Sequence, residues 1–317
     1  MGGARNWDYR YAWVRDASFT IEALWVAACP DEANEFFDYM TTSAAGSLDR
    51  GGDLQIMFGI GGERDLTERE LPHLEGWRHS APVRVGNGAW SQRQLDVYGE
   101  LLSAVYRLSD HLFDNATRRV GPMAAPDKWG APPDLAPVTR RFLVQLADTA
   151  ALRWQEKDQG IWEVRSEPRD FLYSKLMCWV ALDRAVALAD HLGASDRVEA
   201  WKQTQDQIRE AILTRGWSDR VNAFTQSFGS DELDASSRCC LWWGCFPPTI
   251  LECWPRSTRQ KNASLMIAGW CIATGPTTGS RAKKARSFCA PSGWLKPWPE
   301  PDSRPEPAPS STGPPPS

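Results

Sequence analysis

From Arg15 to about Ser237 the apolar positions recur with a helical period, and strict two-residue alternation is scarce. Residues 18–28 read as a helix with Phe19, Leu24 and Trp25 on its apolar side, and Pro30 separates it from a second helix over 31–43. A helix over 92–113 sets Leu95, Leu102, Val105 and Leu108 on one face. Further helices are predicted over 134–154, 171–192 and 196–213. Between the second and third lies a long stretch, 51–86, rich in glycine and charge, with one strand-like run at 54–58. A connection of that length inside a compact domain is a functional candidate. Many helices and few strands predict an all-α architecture of neighbouring helix pairs. Pairs joined tightly on one side leave the longer loops, 1–16, 51–90 and 155–170, together on the other, where function gathers on a rigid scaffold.

The helical pattern stops near residue 237. Up to that point the chain holds 26 Lys+Arg against 36 Asp+Glu, and after it 10 against 4, so the balance swings from −10 to +6. Fourteen of the 23 prolines fall in the same last quarter, which shows no amphipathic period and is expected to be disordered or irregular. It also holds six of the eight cysteines, while Cys29 and Cys178 sit in helix-like segments. A zinc site there is disfavoured, because the chain has no CxxC pair and no histidine after His191. A disulfide framework fits poorly with a chain that shows no export signal.

A real basic, proline-rich tail is one reading of residues 238–317. The other is a tail translated in the wrong frame. Joining the last base of each codon to the first two of the next forces Leu at Cys239-Cys240, Val at Trp242-Trp243, Gly at Trp243-Gly244 and Leu at Cys253-Trp254. The degenerate positions between such forced letters permit a loop running into an amphipathic helix, which the printed tail is not.

Bulk properties exclude little else. The formal charge of −4 gives no reason to expect nucleic acid or an anionic membrane as partner. No run of about 18 apolar residues predicts a membrane span. Residues 1–6 lack a signal-peptide core, so a cytoplasmic location is expected by default. The 17 tryptophans are core fillers or flat apolar platforms suited to the C–H faces of sugar rings.

Three constellations carry candidate chemistry. The first is Asn6-Trp7-Asp8-Tyr9-Arg10-Tyr11-Ala12-Trp13-Val14-Arg15-Asp16. Arg15 and Asp16, read as a loop before a helix, each offer two atoms in one plane for hydroxyl groups, or form a surface ion pair beside core aromatics. The second runs from Pro82 through Asn87 and Gln92 to Asp96. Its glycines allow close backbone approach, and it reads equally well as a helix start. The third is Asp158-Gln159-Gly160-Ile161-Trp162-Glu163-Val164-Arg165. A carboxyl beside Trp162 in a sparsely charged loop would be kept protonated by desolvation and could donate to a leaving oxygen. Arg165 opposes this if it pairs with Glu163, and a solvated glutamate is the plain alternative.

In this order the three stretches resemble the glucoamylase-like glycoside hydrolases of family 15 in their bacterial form, which includes glucoamylases, glucodextranases and a type of trehalase. Asn6 to Asp16 resembles the opening barrel motif, Pro82 to Glu100 the next signature, and Gly160-Ile161-Trp162-Glu163 the catalytic-acid loop. Ser174-Lys175 through Trp179, Asp183 and Arg184 resembles the following helix, and Asp231 to Ser236 a later helix start. The similarity covers residues 4–237.

The resemblance implies a partial (α/α)6 barrel of the six-hairpin glycosidase type over 1–237, followed by a non-family tail over 238–317. It implies inverting hydrolysis of trehalose or an α-glucan at a terminal α-linked glucose, with no metal or organic cofactor. Glu163 would be the general acid, with Arg15, Asp16, Trp162, Asn87 and Arg165 binding the sugar. Inversion needs a second carboxylate roughly 6.5–9.5 Å away to activate water. In the family that base lies near the barrel's end, beyond the point where this chain becomes alien, so the chain as printed is expected to be inactive. The β-sandwich that precedes the barrel in bacterial members is not seen before Met1. The same fold could instead serve as a non-catalytic glucan-binding or regulatory module, distinguished by binding without turnover. A phosphorylase is a third reading, distinguished by its glucose 1-phosphate product.

Overall fold

A computed structural model describes residues 6–27, 29–48, 53–117 and 135–238. The tail, with its six cysteines and its shifted-frame reading, lies outside the described residues apart from Arg238. Six α-helices organise the rest: α1 (Val14–Val26), α2 (Pro30–Leu48), α3 (Asp96–Thr117), α4 (Pro137–Arg153), α5 (Leu172–Leu192) and α6 (Val198–Arg215). Three two-residue antiparallel pairs join the loops: β1 (Ala12–Trp13) with β2 (Met57–Phe58), β3 (Arg69–Glu70) with β4 (Arg84–Val85), and β5 (Trp217–Ser218) with β6 (Ala223–Phe224).

Prolines and glycines mark the helix ends. Pro30 and Pro137 stand at first helical positions, where a missing N–H costs nothing and φ is already set. Gly193 ends α5 in the left-handed region, returning its N–H to the carbonyls of Ala189 and Asp190. Cys29 falls in the connection between α1 and α2, whereas Cys178 is buried in α5.

The helices form three hairpins. α1 packs on α3 and α3 on α5, making an inner row, while α2, α4 and α6 lie outside it in contact with one another in sequence. Burial follows that layering. In α5 side chains are buried on every side, from Leu172 and Leu176 to Val180 and Ala181, as expected of a helix with neighbours all round. In α6 only Trp201, Ile208 and Ile212 are buried, a single stripe. Gly99 lets α3 and α5 meet closely, since a Cβ there would sit 2.2 Å from the carbonyl oxygen of Met177. This is the all-α, six-hairpin type of architecture, and the described residues supply three hairpins of it. Among them no helix is long and apolar enough to cross a membrane.

Two helix starts differ from the sequence expectation by four residues each. α1 begins at Val14 rather than residue 18, and its buried face is Val14, Ala17 and Ile21, while Phe19 is exposed. The polar Arg15-Asp16 pair hides the first turn from an apolar count, because Arg15 is buried as an ion-pair partner. α3 begins at Asp96 rather than residue 92, because Gly88–Ser91 forms a separate 3-10 turn capped by Asn87.

The N-termini of α1, α3 and α5 lie at one end of the inner row, and the loops before them are stitched together there. Val14 N donates to Ile56 O (2.8 Å), Gln159 N to Arg93 O (3.0 Å) and Asn87 N to Leu66 O (2.9 Å). The three long loops singled out in the sequence therefore meet on one face.

Candidate active site

The acid loop is closed at its base and tied to two helix starts. Asp158 and Arg169 exchange backbone hydrogen bonds at 3.0 and 2.9 Å, leaving the intervening residues as a protruding turn. Asp158 itself is buried, and its Oδ2 accepts from Leu95 N (3.0 Å) and Ser174 Oγ (2.6 Å). Burial pushes this carboxyl up to about 7, against the pull of those two donors. Gly160 turns the chain at φ 65°, and a Cβ there would strike the Phe171 ring at 2.7 Å. Glu163 follows at φ 52°, a left-handed conformation that a glutamate adopts only when its surroundings impose it. The surroundings are identifiable: Gln92 Nε2 donates to the carbonyls of Glu163 (3.4 Å) and Val164 (3.2 Å), and Glu163 N donates to Gly160 O (3.1 Å).

That backbone aims the Glu163 carboxyl inward. Its side chain is only 17% exposed, and Oε1 accepts from Arg15 Nη2 at 3.1 Å. Arg15 and Asp16 stand in the first turn of α1 rather than in the loop ahead of it. On its other side Arg15 gives Nη1 to Asp96 Oδ2 (2.9 Å) and to Gln94 Oε1 (3.1 Å). The buried Trp13 indole N–H acts on the same glutamate but falls short of a full hydrogen bond. Burial is the largest influence on Glu163 and raises its pKa; Arg15 and then Trp13 pull it down, and exposed Asp16 pushes it back up. The net direction is upward, so the proton is held to higher pH than in a free glutamate.

The remaining candidates divide into two groups. Trp162 is 56% exposed beside Glu163, with its indole N–H anchored on Asp234 Oδ2 at 2.6 Å. Tyr9, also exposed, tilts against Trp13 with ring centroids 5.4 Å apart. Asn87 and Arg165 make several contacts to protein groups. Asn87 is buried; its Nδ2 donates to Asp8 O (2.9 Å), and its Oδ1 accepts from Ala89 N (3.0 Å) and Arg165 Nη2 (3.2 Å). Arg165 does not pair with Glu163. It pairs with Glu68 at 3.0 Å and lies 3.8 Å over the Trp7 ring, whose other neighbour is Arg84 at 4.5 Å. The opposition that Arg165 could offer to a protonated Glu163 is removed by that pairing.

The profile of glycosyl hydrolases family 15 matches residues 3–257. The chain belongs to that family.

Among relatives in family 15, the trehalase of Mycobacterium tuberculosis is 39% identical over 266 residues, which is 84% of this chain and 35% of that protein. The trehalase of Thermoplasma acidophilum is 35% identical over 237 residues, 74% of this chain and 36% of that one. The chain thus spans about a third of the length of these relatives. Among solved structures, a glycosidase in complex with glucose superposes with a TM-score of 0.52 at 21% identity, over 75% of this chain and 57% of that one, which speaks to the fold.

Several residues of this candidate site carry no signal in a periodicity count. Asp96 and Glu100 lie one turn apart at the start of α3, both buried. Glu100 Oε1 accepts from Tyr173 Oη at 2.5 Å, and burial raises its pKa to about 8. Glu68 and Asp234 come from loops far away in sequence. Charged residues inside an amphipathic helix read as a solvated face, and only the fold shows that this face looks inward.

Proposed function

We propose that the chain carries the proton-donating side of an inverting glycoside hydrolase acting on α-linked glucose, with trehalose as the first substrate to test. One observation carries this reading: a carboxyl, Glu163, held largely out of water with a raised pKa and bonded to Arg15 across 148 positions of sequence. A neutral carboxyl so placed can give its proton to a departing glycosidic oxygen. Trp162 and Tyr9 offer exposed ring faces next to it, and Asp16 offers an exposed carboxyl group for sugar hydroxyls. The trehalase names of its relatives support trehalose over longer glucans. In this reading Asn87 and Arg165 are positioning residues: they fix the loop around Trp7 instead of touching the sugar.

Inverting hydrolysis also requires a carboxylate that activates water on the opposite face of the ring. We assign that base to the later part of the barrel, beyond residue 237. The chain as printed then releases no glucose from trehalose, maltose or dextran, and a chain continued in the shifted frame after codon 237 releases it from trehalose. Glucose release by the printed chain overturns the inactivity. No release by the continued chain from any of the three sugars overturns the hydrolase reading.

A further inference from the structure

The three hydrogen bonds of Arg15 pose an electrostatic problem. A buried guanidinium bonded to a carboxylate ordinarily holds that carboxylate ionised, and an ionised Glu163 has no proton to donate. Yet Arg15 shares its two terminal nitrogens unequally. Nη1 carries two bonds, to Asp96 Oδ2 at 2.9 Å and to the neutral Gln94 Oε1 at 3.1 Å, while Nη2 carries a single contact, to Glu163 at 3.1 Å, longer than the one to Asp96. Asp96 is fully buried, so its attraction for Arg15 is weakly screened. Its second oxygen, Oδ1, makes no hydrogen bond among the described residues, which leaves Arg15 as its main compensation.

We propose that Asp96 is a positioning residue that keeps Arg15 from capturing Glu163 as an ion pair, so that Arg15 orients the acid without stripping it of its proton. This rests on the proton-donor reading of Glu163. The groups facing the pair from each packed element fit the assignment. From α1, Arg15 and Asp16 face Glu163, and from the opening loop so do Trp13 and Tyr9. Around Asp96 stand Glu100 on its own helix, Asp158 on the acid loop and Cys178 on α5. Burial holds the carboxyls of Glu100 and Asp158 towards their neutral forms, to about 8 and about 7, and of these three carboxyls Asp96 is the one in ion-pair contact with Arg15, at 2.9 Å.

The test is a 13C titration of the glutamate carboxyls in the full chain, with the Glu163 signal assigned by its loss in Glu163→Gln. It needs no turnover, so its failure is separable from failure of the hydrolase reading. Asp96→Asn removes the counter-charge and keeps the shape; the Glu163 midpoint should fall by about one to three pH units. Gln94→Glu places a second carboxylate on the same Nη1, and the midpoint should rise. Should Asp96→Asn fail to fold, Gln94→Glu alone decides the matter. An unmoved Glu163 midpoint in a folded variant of either kind, or a shift of opposite sign, overturns the assignment. Gln94→Met, which removes a neutral acceptor, should leave the midpoint near its original value.

Discussion

Arg15 Nη2 lies 3.1 Å from Glu163 Oε1, joining the first turn of α1 to a loop that is otherwise anchored on Leu95, just ahead of α3, and on Ser174 of α5. The same guanidinium compensates the buried Asp96. Removing it therefore does more than lose one contact. Arg15→Met is expected to destabilise the protein by about 3–5 kcal/mol, because the Asp96 charge is left buried and alone. The urea midpoint checks this, and Arg15→Met combined with Asp96→Asn should recover part of the loss.

Stability should also fall as pH rises from the acidic side. Glu100 moves from an ordinary 4.5 to about 8 on folding, and Asp158 from 3.8 to about 7, both through burial. Between those limits the native state keeps protons that the unfolded chain has released, so their favourable contribution is full below the ordinary values and is lost through the raised ones. Denaturation at about pH 5 and about pH 8 measures the slope. Glu100→Gln, which has no proton to lose, should flatten it; an unchanged slope removes Glu100 as its source.

Gly160 is the hinge on which the acid loop turns. Gly160→Ala puts a methyl into the Phe171 ring and a side chain into the left-handed region. The expected cost is about 1–3 kcal/mol, read from the melting temperature. The Glu163 titration should move back towards that of a free glutamate, since the carboxyl sits three residues on. A variant with the native Glu163 midpoint would show that the loop tolerates the side chain.

The helices were legible in the sequence because apolar residues repeat wherever one face is buried, as in α6 with Trp201, Ile208 and Ile212. The loop that carries Gly160, Trp162 and Glu163 was singled out by its residue types, and Arg15 and Asp16 by their motif, and the structure brings Arg15 and Glu163 into contact. What periodicity missed were buried charges. Arg15 lies inside the first turn of α1, Asp96 and Glu100 inside α3, and each interrupts the apolar count just where the helix enters the site. Asn87 and Arg165 were read as sugar-binding groups; the structure shows their contacts with Trp7, Glu68 and each other, of which the sequence carries no sign, because the glycine-rich loop folds back on Trp7 and Glu68. No local pattern encodes a partner 97 positions away, such as Glu68 for Arg165.

The most direct measurement is the turnover of trehalose by the frame-continued chain with and without Glu163→Gln, a change that keeps the shape and removes the transferable proton. The expected result is a kcat lower by about 10²–10⁴ with a smaller change in KM, as for loss of a general acid. A Glu163→Gln protein that turns over trehalose at close to the original kcat would contradict the role given to this carboxyl.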